Sequence, residues 1–421
     1  MRSMDNQNTC ISRAITGAIK LALADTRVVA VQGARQTGKS TLVKEFVTDA
    51  TVKYASLDVT AVRESARSNP ADFVSQMPDG LLVIDEIQRV PELLLEIKNV
   101  VDNSNRPGQF LITGSSDLSK LSGVQESLAG RLERVELMPF SQQELLGVSS
   151  SFLTDVFNAD YKPAIRTASL TRSDYLELAI RGGYPEANQR HSKQRRDVWF
   201  DNYLQLLFEQ EEADSKNGTN PEQARRFIRY LATIGGRELV IDSISNDINL
   251  KRYGVSQLLA YLEQLFLIEI VSPWSTSLTN RTIKHPKVFL KDSGLAARLL
   301  SANNSTASDL ESSIAGTIFE TFVFNELLRA ASTLSTSLKF FHYRDTRKRE
   351  VDIVIENDSE KLLLIEVKAS STVNVSDFRS INYLIETHPN RVARGIVIYT
   401  GTDVLPFGER TLAIPAQLLW S

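Results

Sequence analysis

One stretch of the chain, G-A-R-Q-T-G-K-S-T at positions 33–41, has the residue types and spacing of a phosphate-binding loop. An apolar, β-branched stretch precedes it and helical spacing follows it, so the sequence predicts the strand–loop–helix order that such a loop needs. Its glycines let backbone N–H groups face phosphate, and the positive end of the helix adds to that field. Lys39 would reach the β- and γ-phosphates, and the Ser40 hydroxyl would bind Mg²⁺. The predicted nucleotide-binding residues of this loop are Gly33, Ala34, Arg35, Gln36, Thr37, Gly38, Lys39, Ser40 and Thr41.

An acidic pair one strand further on argues against a chance match in a glycine-rich turn. The apolar residues 81–84 lead directly into Asp85 and Glu86. Asp85 would hold the Mg²⁺ directly or through water, and Glu86 would polarise the attacking water. The plainer alternative is a strand that ends in a solvated acidic turn. Together the two patterns predict that the chain binds and hydrolyses ATP with Mg²⁺, at the carboxyl edge of a parallel sheet.

Polar residues at the end of a further apolar strand are candidates for orienting the water near the γ-phosphate. Thr113, Ser115 and Ser116 are all placed for this role, and we include Ser115 among the predicted nucleotide-site residues. The alternative for each is a turn-forming hydroxyl. Arg131, which precedes the next strand, is a candidate arginine finger for its own nucleotide or for that of a neighbouring subunit. A surface arginine is the alternative, so the sequence leaves both a homo-oligomer and a monomer open.

A second constellation, Asp352 followed by E-x-K at 366–368, lies near the other end of the chain. Alternation along a strand puts Glu366 and Lys368 on one face. Asp352 and Glu366 would then share a second divalent metal, with Glu320 from a preceding helix as an accessory acid. Lys368 would orient a water or stabilise the charge on a pentavalent phosphate. Charges inside apolar strands are costly unless they are paired or functional, but so short a pattern also arises by chance.

The elements that must position these groups divide the chain into four predicted segments. Strand and helix patterns alternate over residues 1–139, as in a parallel sheet with helices on both faces. Residues 140–215 have a helical pattern. Residues 216–300 have the order of a winged helix, three helices and a β-ribbon, and the third helix of such domains often enters the DNA major groove. Residues 301–421 carry the D…E-x-K strands in the order αβββαβ.

Basic residues lie beside both of the C-terminal segments. Arg344 and the run Arg347, Lys348 and Arg349 precede Asp352, with a solvated hairpin loop as the alternative to phosphate contact. The basic residues near the third helix and the ribbon, which we expect to contact DNA phosphates, are Lys251, Arg252, Arg281, Lys284 and Lys287. A packing domain with a solvated wing is the alternative for that segment.

Composition sets broad limits on the class of protein. The 421 residues are enough for two or three domains, and 42% hydrophobic and 24% charged residues are ordinary for a folded protein. A net charge of −3 argues against a globally basic nucleic-acid coat but allows a local basic patch. The single cysteine, Cys10, excludes a disulfide within the chain. With no apolar signal region and no stretch long enough to span a membrane, the sequence predicts a cytoplasmic protein without a membrane partner.

The motifs resemble those of AAA+ ATPases, and most closely the bacterial and archaeal family with an AAA-type N-terminal half and a DUF4143 C-terminal half. The stretches that carry the resemblance are GARQTGKST, LLVIDEIQRVPEL, FLITGSS, SLAGR, RGGYPEA, KVFLKDSGLA and EVDIVIE…LLLIEVKAS. The C-terminal part is similar to the PD-(D/E)xK nuclease fold, although Val351 stands where a proline often precedes the aspartate. The resemblance implies an α/β protein with a P-loop AAA+ parallel sheet, a helical lid at 140–215, a winged helix and a nuclease-like domain.

The predicted function is that of an ATP-hydrolysing protein that acts on DNA by remodelling or translocation, with metal-dependent cleavage at the second site as an open question. Two alternatives remain at this point. One is an ATP-driven molecular switch, and the other is a protein-remodelling ATPase whose nuclease-like domain only binds.

Overall fold

The computed structural model describes the chain over 11–115, 128–158, 160–163, 167–214, 220–277, 285–302 and 313–421, without the side chains of 210–214. The expectations for Ser116, Arg281 and Lys284 therefore fall outside the described residues. Within the described parts, every helix is too short or too polar to cross a lipid bilayer.

The N-terminal part is a five-stranded parallel sheet with the order β2-β3-β4-β1-β5. Its strands are β1 (Val28–Gln32), β2 (Val52–Ser56), β3 (Leu81–Asp85), β4 (Phe110–Gly114) and β5 (Leu132–Glu136). Its helices are α1 (Thr16–Asp25), α2 (Lys39–Lys44), α3 (Thr60–Ser68), α4 (Pro70–Val74) and α5 (Leu93–Asn103). Helices cover both faces of the sheet, so β1 and β4 are buried along their whole length. Because the strands are parallel, the segments that follow β1, β3 and β4 meet at one edge.

A helical segment follows this sheet. It contains α6 (Gln142–Leu146), α7 (Phe152–Asp155), α8 (Arg172–Arg181), α9 (Pro185–Asn188) and α10 (Lys193–Asp214). A capping box begins α6, in which Ser141 and Glu144 each accept the other's backbone N–H. Parts of α7 and α8 share a core with the end of the chain, where Tyr175 contacts the rings of Phe319 and Trp420. Some helices of segment 140–215 therefore pack with the C-terminal part, whereas α6 and α9 lie beside the phosphate-binding loop. The boundaries of this segment remain a prediction.

The next segment has the predicted order of three helices and a two-stranded antiparallel ribbon. Its elements are α11 (Pro221–Thr233), α12 (Ile241–Ile248), α13 (Arg252–Gln264), β6 (Ile268–Val271) and β7 (Lys287–Leu290), followed by α14 (Ser293–Leu299). Apolar residues at helical spacing pack the helices together, among them Phe227 of α11 and Leu258 and Leu262 of α13. The opposite face of α13 is exposed.

The C-terminal part forms a separate six-stranded mixed sheet with the order β12-β13-β11-β10-β9-β8. Its elements are α15 (Ser313–Ala331), β8 (Leu338–Arg344), β9 (Glu350–Asn357), β10 (Leu362–Lys368), α16 (Arg379–Thr387), β11 (Val392–Tyr399), β12 (Leu405–Gly408) and β13 (Thr411–Pro415). Helix α15 packs on one face, against Ile353 and Ile365, and α16 packs on the other, against Val354 and Val397. The mixed α/β fold with a parallel sheet and a separate C-terminal sheet confirms the predicted fold class.

Candidate functional site

The phosphate-binding loop follows β1 and leads into α2. Gly33 has φ of 149° and lies so close to the chain after β5 that a Cβ would come within 2.3 Å of the Leu137 carbonyl oxygen. Gly38 has φ of 97° immediately before the helix. The loop therefore needs glycine at both positions, since one has no room for a side chain and both have backbone conformations that side chains disfavour.

Lys39 lies inside this loop with only 3% of its surface exposed. Its Nζ donates to the carbonyl oxygens of Gly33 and Ala34, at 2.9 Å each. Burial lowers the pKa of Lys39 to about 8, although the charges of Glu86 and Asp85 oppose that shift. The ammonium is thus held by neutral carbonyl groups, from which an anionic phosphate would draw it.

Asp85, at the end of β3, is held by three hydroxyl groups from three different elements. Its Oδ1 accepts hydrogen bonds from Ser40 at 3.1 Å and Thr113 at 2.6 Å, and its Oδ2 accepts one from Tyr54 at 2.8 Å. Ser40 and Asp85 offer hard oxygen ligands side by side, which is the donor chemistry that Mg²⁺ prefers. The predicted pair of Mg²⁺ ligands is therefore adjacent in the structure.

Glu86 is next to Asp85 but has a left-handed backbone, with φ of 62°. Its N–H donates to Thr113 Oγ1 at 2.9 Å, and its carboxylate accepts hydrogen bonds from Gln88 and, at 3.3 Å, from Ser115. A non-glycine residue in this conformation is strained, and such strain is concentrated at functional sites. The turn aims the carboxylate of Glu86 at the loop side of the sheet, where it lines a cavity with Lys39.

That cavity has a volume of about 1190 Å³ and lies between the phosphate-binding loop and helices α6, α8 and α9. Its polar end is formed by residues of the loop and Glu86, and its apolar part includes Phe140, Leu145 and Leu178. Two arginines, Arg181 and Arg190, line it from the helical side. A polar end with cations and an apolar part suits a nucleotide, whose phosphates and base differ in the same way.

The structure brings most of the predicted nucleotide residues to this cavity but separates Arg131 from it. Gln36, Gly38, Lys39, Ser40, Thr41 and Glu86 line the cavity, and Gly33, Ala34, Arg35, Thr37, Asp85 and Ser115 belong to the surrounding loop and strand ends. Arg131 precedes β5, its carbonyl accepts from Val28 N at 3.2 Å, and its side chain pairs with Asp102. Arg131 therefore lies at the edge of the sheet opposite to the phosphate-binding loop, so it cannot act as an arginine finger toward the nucleotide of its own subunit. Its role toward the nucleotide of a neighbouring subunit stays a prediction.

Arg13 is a buried member of the site that the sequence did not indicate. Its Nη1 donates to the Thr37 carbonyl at 2.8 Å, its Nη2 to the Met138 carbonyl at 2.6 Å, and its Nε to Glu144 at 2.9 Å. It ties the phosphate-binding loop to α6. A lone arginine before the first helix carries no motif, so only its distant partners could have shown this role.

Two of the four residues of the second constellation, Glu320 and Asp352, lie against a buried lysine. Nζ of Lys287, on β7, lies 2.8 Å from Glu350, 3.4 Å from Asp352 and 3.6 Å from Glu320. Asp352 also accepts from Val367 N at 2.9 Å, while Lys368 donates to Glu366 at 2.8 Å. The expectation that Lys287 contacts DNA phosphates is wrong, because its side chain is completely buried in this acidic cluster.

This arrangement does not fit the predicted second divalent metal. An ammonium group already lies between Glu320 and Asp352, where a shared cation would have to sit. Among the described residues, no group of three or more His, Cys, Asp or Glu side chains is arranged to hold a metal ion. The predicted metal ligands Glu320, Asp352 and Glu366 are thus neighbours, but their partners are lysines.

The acidic cluster is electrostatically crowded. Burial, and next the charge of Asp352, raise the pKa of Glu320 well above its usual range and that of Glu366 to about 8. Burial alone would lower the pKa of Lys287, but the charges of Asp352, Glu320 and Glu350 outweigh it and raise that pKa. Lys287 is therefore held as a cation.

Two of the known protein families that match this chain cover the same residues as its N-terminal and C-terminal sheets. Residues 25–146 match a family described as an AAA domain, and residues 315–419 match a domain of unknown function, DUF4143. The chain carries an AAA domain followed by a DUF4143 domain. Between the AAA and DUF4143 domains, residues 172–306 match another domain of unknown function, DUF8612. The family architecture expected from the motifs is confirmed.

Similar proteins are found in bacteria and archaea. An uncharacterised protein of Mycobacterium tuberculosis is 26% identical over 401 residues, which cover 95% of this chain and 82% of that protein. An uncharacterised protein of Methanocaldococcus jannaschii is 23% identical over 316 residues, 69% of this chain and 66% of that protein. Neither description states an activity.

Solved structures offer more distant likenesses. The Walker-type ATPase PABY2304 of Pyrococcus abyssi has a TM-score of 0.43 and 14% identity, over 71% of this chain and 99% of that one. The ORC2 protein of Aeropyrum pernix has a TM-score of 0.31 and 16% identity, over 72% of this chain and 90% of that one. At these scores neither likeness carries an argument about function.

Proposed function

We propose that this protein is an ATPase that acts on DNA, with ATP bound in the cavity between the AAA sheet and helices α6, α8 and α9. The observation that carries the ATPase assignment is the position of Asp85 and Glu86. Asp85 lies 3.1 Å from the Ser40 hydroxyl, and Glu86 lines the same cavity as Lys39. These groups suit metal binding, water activation and phosphate binding within one cavity.

Each residue has a distinct task in this proposal. The loop amides and Lys39 bind the phosphates, and Ser40 and Asp85 would hold Mg²⁺. When bound, Mg²⁺ would neutralise charge on the phosphate oxygens. Glu86 orients and polarises the attacking water. Thr113, which is hydrogen-bonded to Asp85 and to the Glu86 N–H, fixes the two acids relative to each other.

DNA is proposed as the partner because of the exposed face of α13. At its start lie Lys251 and Tyr253, with 74% of the tyrosine exposed. Ser256 and Gln257 are exposed on the next turn. One cation, one aromatic ring and two hydrogen-bonding side chains are suitable groups for phosphate, base stacking and base edges. Cleavage of DNA is not part of the proposal, because Lys287 lies among the carboxylates that cleavage would require.

The first test is phosphate release from Mg-ATP, alone and with single-stranded, duplex and branched DNA. We expect hydrolysis by the unmodified protein and its stimulation by at least one form of DNA. Lys39→Ala should abolish hydrolysis, and Tyr253→Ala should abolish only the stimulation, with basal hydrolysis as its internal control. Unchanged turnover in Lys39→Ala would refute the ATP site, and no stimulation by any DNA would refute the proposed partner.

An ATP-driven switch is the second candidate, because buried polar groups connect the loop to the C-terminal part. Arg13 joins the loop to Glu144 of α6. Glu326 of α15 accepts from the N–H of Gln142, at the start of the same helix, at 2.9 Å and pairs with Arg329 at 2.9 Å. A change at the loop that moves α6 would therefore disturb a charged pair in the DUF4143 domain.

The two candidates predict different nucleotide dependence. A switch would retain ATP with slow turnover, and its affinity for DNA would differ by tenfold or more between the ATP and ADP states, about 1.4 kcal/mol of coupling. Glu86→Gln, which should bind ATP without hydrolysing it, would then show the full effect of ATP on DNA affinity. Equal affinities in the ATP and ADP states would exclude the switch.

A further inference from the structure

Strand β7 delivers a lysine to the centre of the acidic cluster of the DUF4143 domain. Lys287 has no exposed surface, and its Nζ lies within 3.6 Å of the carboxylates of Glu320, Glu350 and Asp352. These three acids come from a helix and a strand that begin more than twenty residues after Lys287 in the chain. Arg344 pairs with Glu238 and Glu350 near the cluster.

Backbone hydrogen bonds on both edges of β7 fix the position of Lys287. On one side β7 pairs with β6. On the other, Gly236 N donates to the Val288 carbonyl at 2.9 Å and Leu239 N donates to the Pro286 carbonyl at 2.6 Å. Hydrogen bonds on both edges of β7 therefore fix the backbone position of Lys287, from which its side chain enters the cluster.

Glu320 also packs against the backbone segment that is hydrogen-bonded to β7. The carboxylate of Glu320 rests against Gly236, where a Cβ would come within 2.6 Å of it. Within the described part of the chain, Glu320 Oε1 is buried and has no hydrogen bond, so the ammonium of Lys287 at 3.6 Å is its counter-ion. A buried carboxylate needs such a cation, because desolvation of an unpaired charge is costly.

We infer that Lys287 is the resident cation of this cluster and takes the place that a divalent metal would fill between Glu320 and Asp352. A metal and an ammonium cannot share that space, since two cations a few ångströms apart in a buried site repel strongly. The DUF4143 domain therefore binds no metal at Asp352 while β7 is in place. Removal of the lysine charge leaves hard oxygen groups facing one another, which is a donor set for Mg²⁺ or Mn²⁺.

The test is the binding of Mn²⁺, measured without nucleotide by electron paramagnetic resonance and by calorimetry. The full chain should show no Mn²⁺ site that depends on Asp352, so the unmodified protein and Asp352→Asn should bind alike. Lys287→Met, which keeps an unbranched side chain only one atom shorter and removes its charge, should gain one Mn²⁺ site. That site should disappear in the double variant Lys287→Met, Asp352→Asn.

The residue that directly follows β7 supplies a matched control. Lys291 is also buried, and it pairs with Glu136 at 2.7 Å and Glu269 at 2.8 Å, away from Asp352. Lys291→Met should therefore gain no Asp352-dependent Mn²⁺ site. The thermal unfolding midpoint of Lys287→Met should fall by several degrees without metal and recover when Mn²⁺ is added, whereas that of Lys291→Met should fall without recovery.

Two results would overturn the inference. One is Mn²⁺ binding by the unmodified protein that Asp352→Asn removes, and the other is a folded Lys287→Met variant that gains no site. If Lys287→Met fails to fold even with Mn²⁺, the comparison of the unmodified protein with Asp352→Asn decides the question alone. Equal binding by those two proteins supports a resident lysine, and unequal binding refutes it.

Discussion

Thr113→Val tests the core of the proposed ATP site, because one buried hydroxyl group connects both catalytic acids. Its Oγ1 donates to Asp85 at 2.6 Å and accepts from the Glu86 N–H at 2.9 Å. Valine has the same shape but neither donates nor accepts. A hydrogen bond to a charged group contributes about 1.5–3 kcal/mol, and a buried N–H left without a partner costs about 1–3 kcal/mol.

We therefore expect Thr113→Val to lower the free energy of unfolding by about 2–4 kcal/mol, since the lost bonds are not fully additive. If half of that loss falls on the positioning of Asp85 and Glu86, the turnover number for ATP should drop by about five- to thirtyfold, because 1.4 kcal/mol is tenfold. Phosphate release at saturating ATP measures this loss, and urea denaturation measures the stability.

Thr113→Ser is the matched control for this experiment, since it keeps the hydroxyl group and should retain most of the turnover. Binding of a fluorescent ATP analogue should change little in either variant, because Thr113 does not line the cavity. A Thr113→Val protein that is folded and hydrolyses ATP within twofold of the unmodified rate would refute the reasoning.

Three further predictions concern the same site. Lys39 has a pKa of about 8 in the free protein, and bound phosphates would raise that pKa. The affinity for ATP should therefore be full below pH 8 and fall by up to tenfold per pH unit above it. Calorimetry between pH 7 and 9.5 measures this dependence, and an affinity that does not change with pH would contradict it. Gly33→Ala should abolish ATP binding in an equilibrium binding assay, because its Cβ would lie 2.3 Å from the Leu137 carbonyl; normal affinity would show that the loop can shift. Tyr54→Phe removes one of the three hydroxyl groups that donate hydrogen bonds to Asp85. The Mg²⁺ concentration for half-maximal hydrolysis should therefore rise severalfold, and an unchanged Mg²⁺ requirement would contradict this prediction.

The sequence was sufficient wherever the relevant residues are neighbours along the chain. The phosphate-binding loop and the acids that end β3 are local patterns, and a parallel sheet brings successive strand ends to one edge. The order αβββαβ was likewise predicted for the C-terminal part, and the structure adds β12 and β13 after it. The proximity of Asp352, Glu366 and Glu320 follows from that order.

The missed features depend on contacts between distant parts of the chain. Tyr54 and Arg13 acquire their roles from partners on other elements, and nothing in their local sequence distinguishes them. Lys287 was expected to contact DNA phosphates from the ribbon, and lysine is rarely buried. Its burial follows from acids on α15 and β9, whose packing against β7 the sequence pattern does not specify.

The position of Lys287 also bears on how this protein can be divided for experiments. A fragment that starts near residue 301 would contain all the acids of the cluster but neither Lys287 nor the aromatic contacts that Tyr175 makes with Phe319 and Trp420. Such a fragment would place several like charges in one buried space with no built-in cation. It would therefore either fold poorly or recruit an ion from the buffer, and a metal found in the fragment would be a product of the truncation.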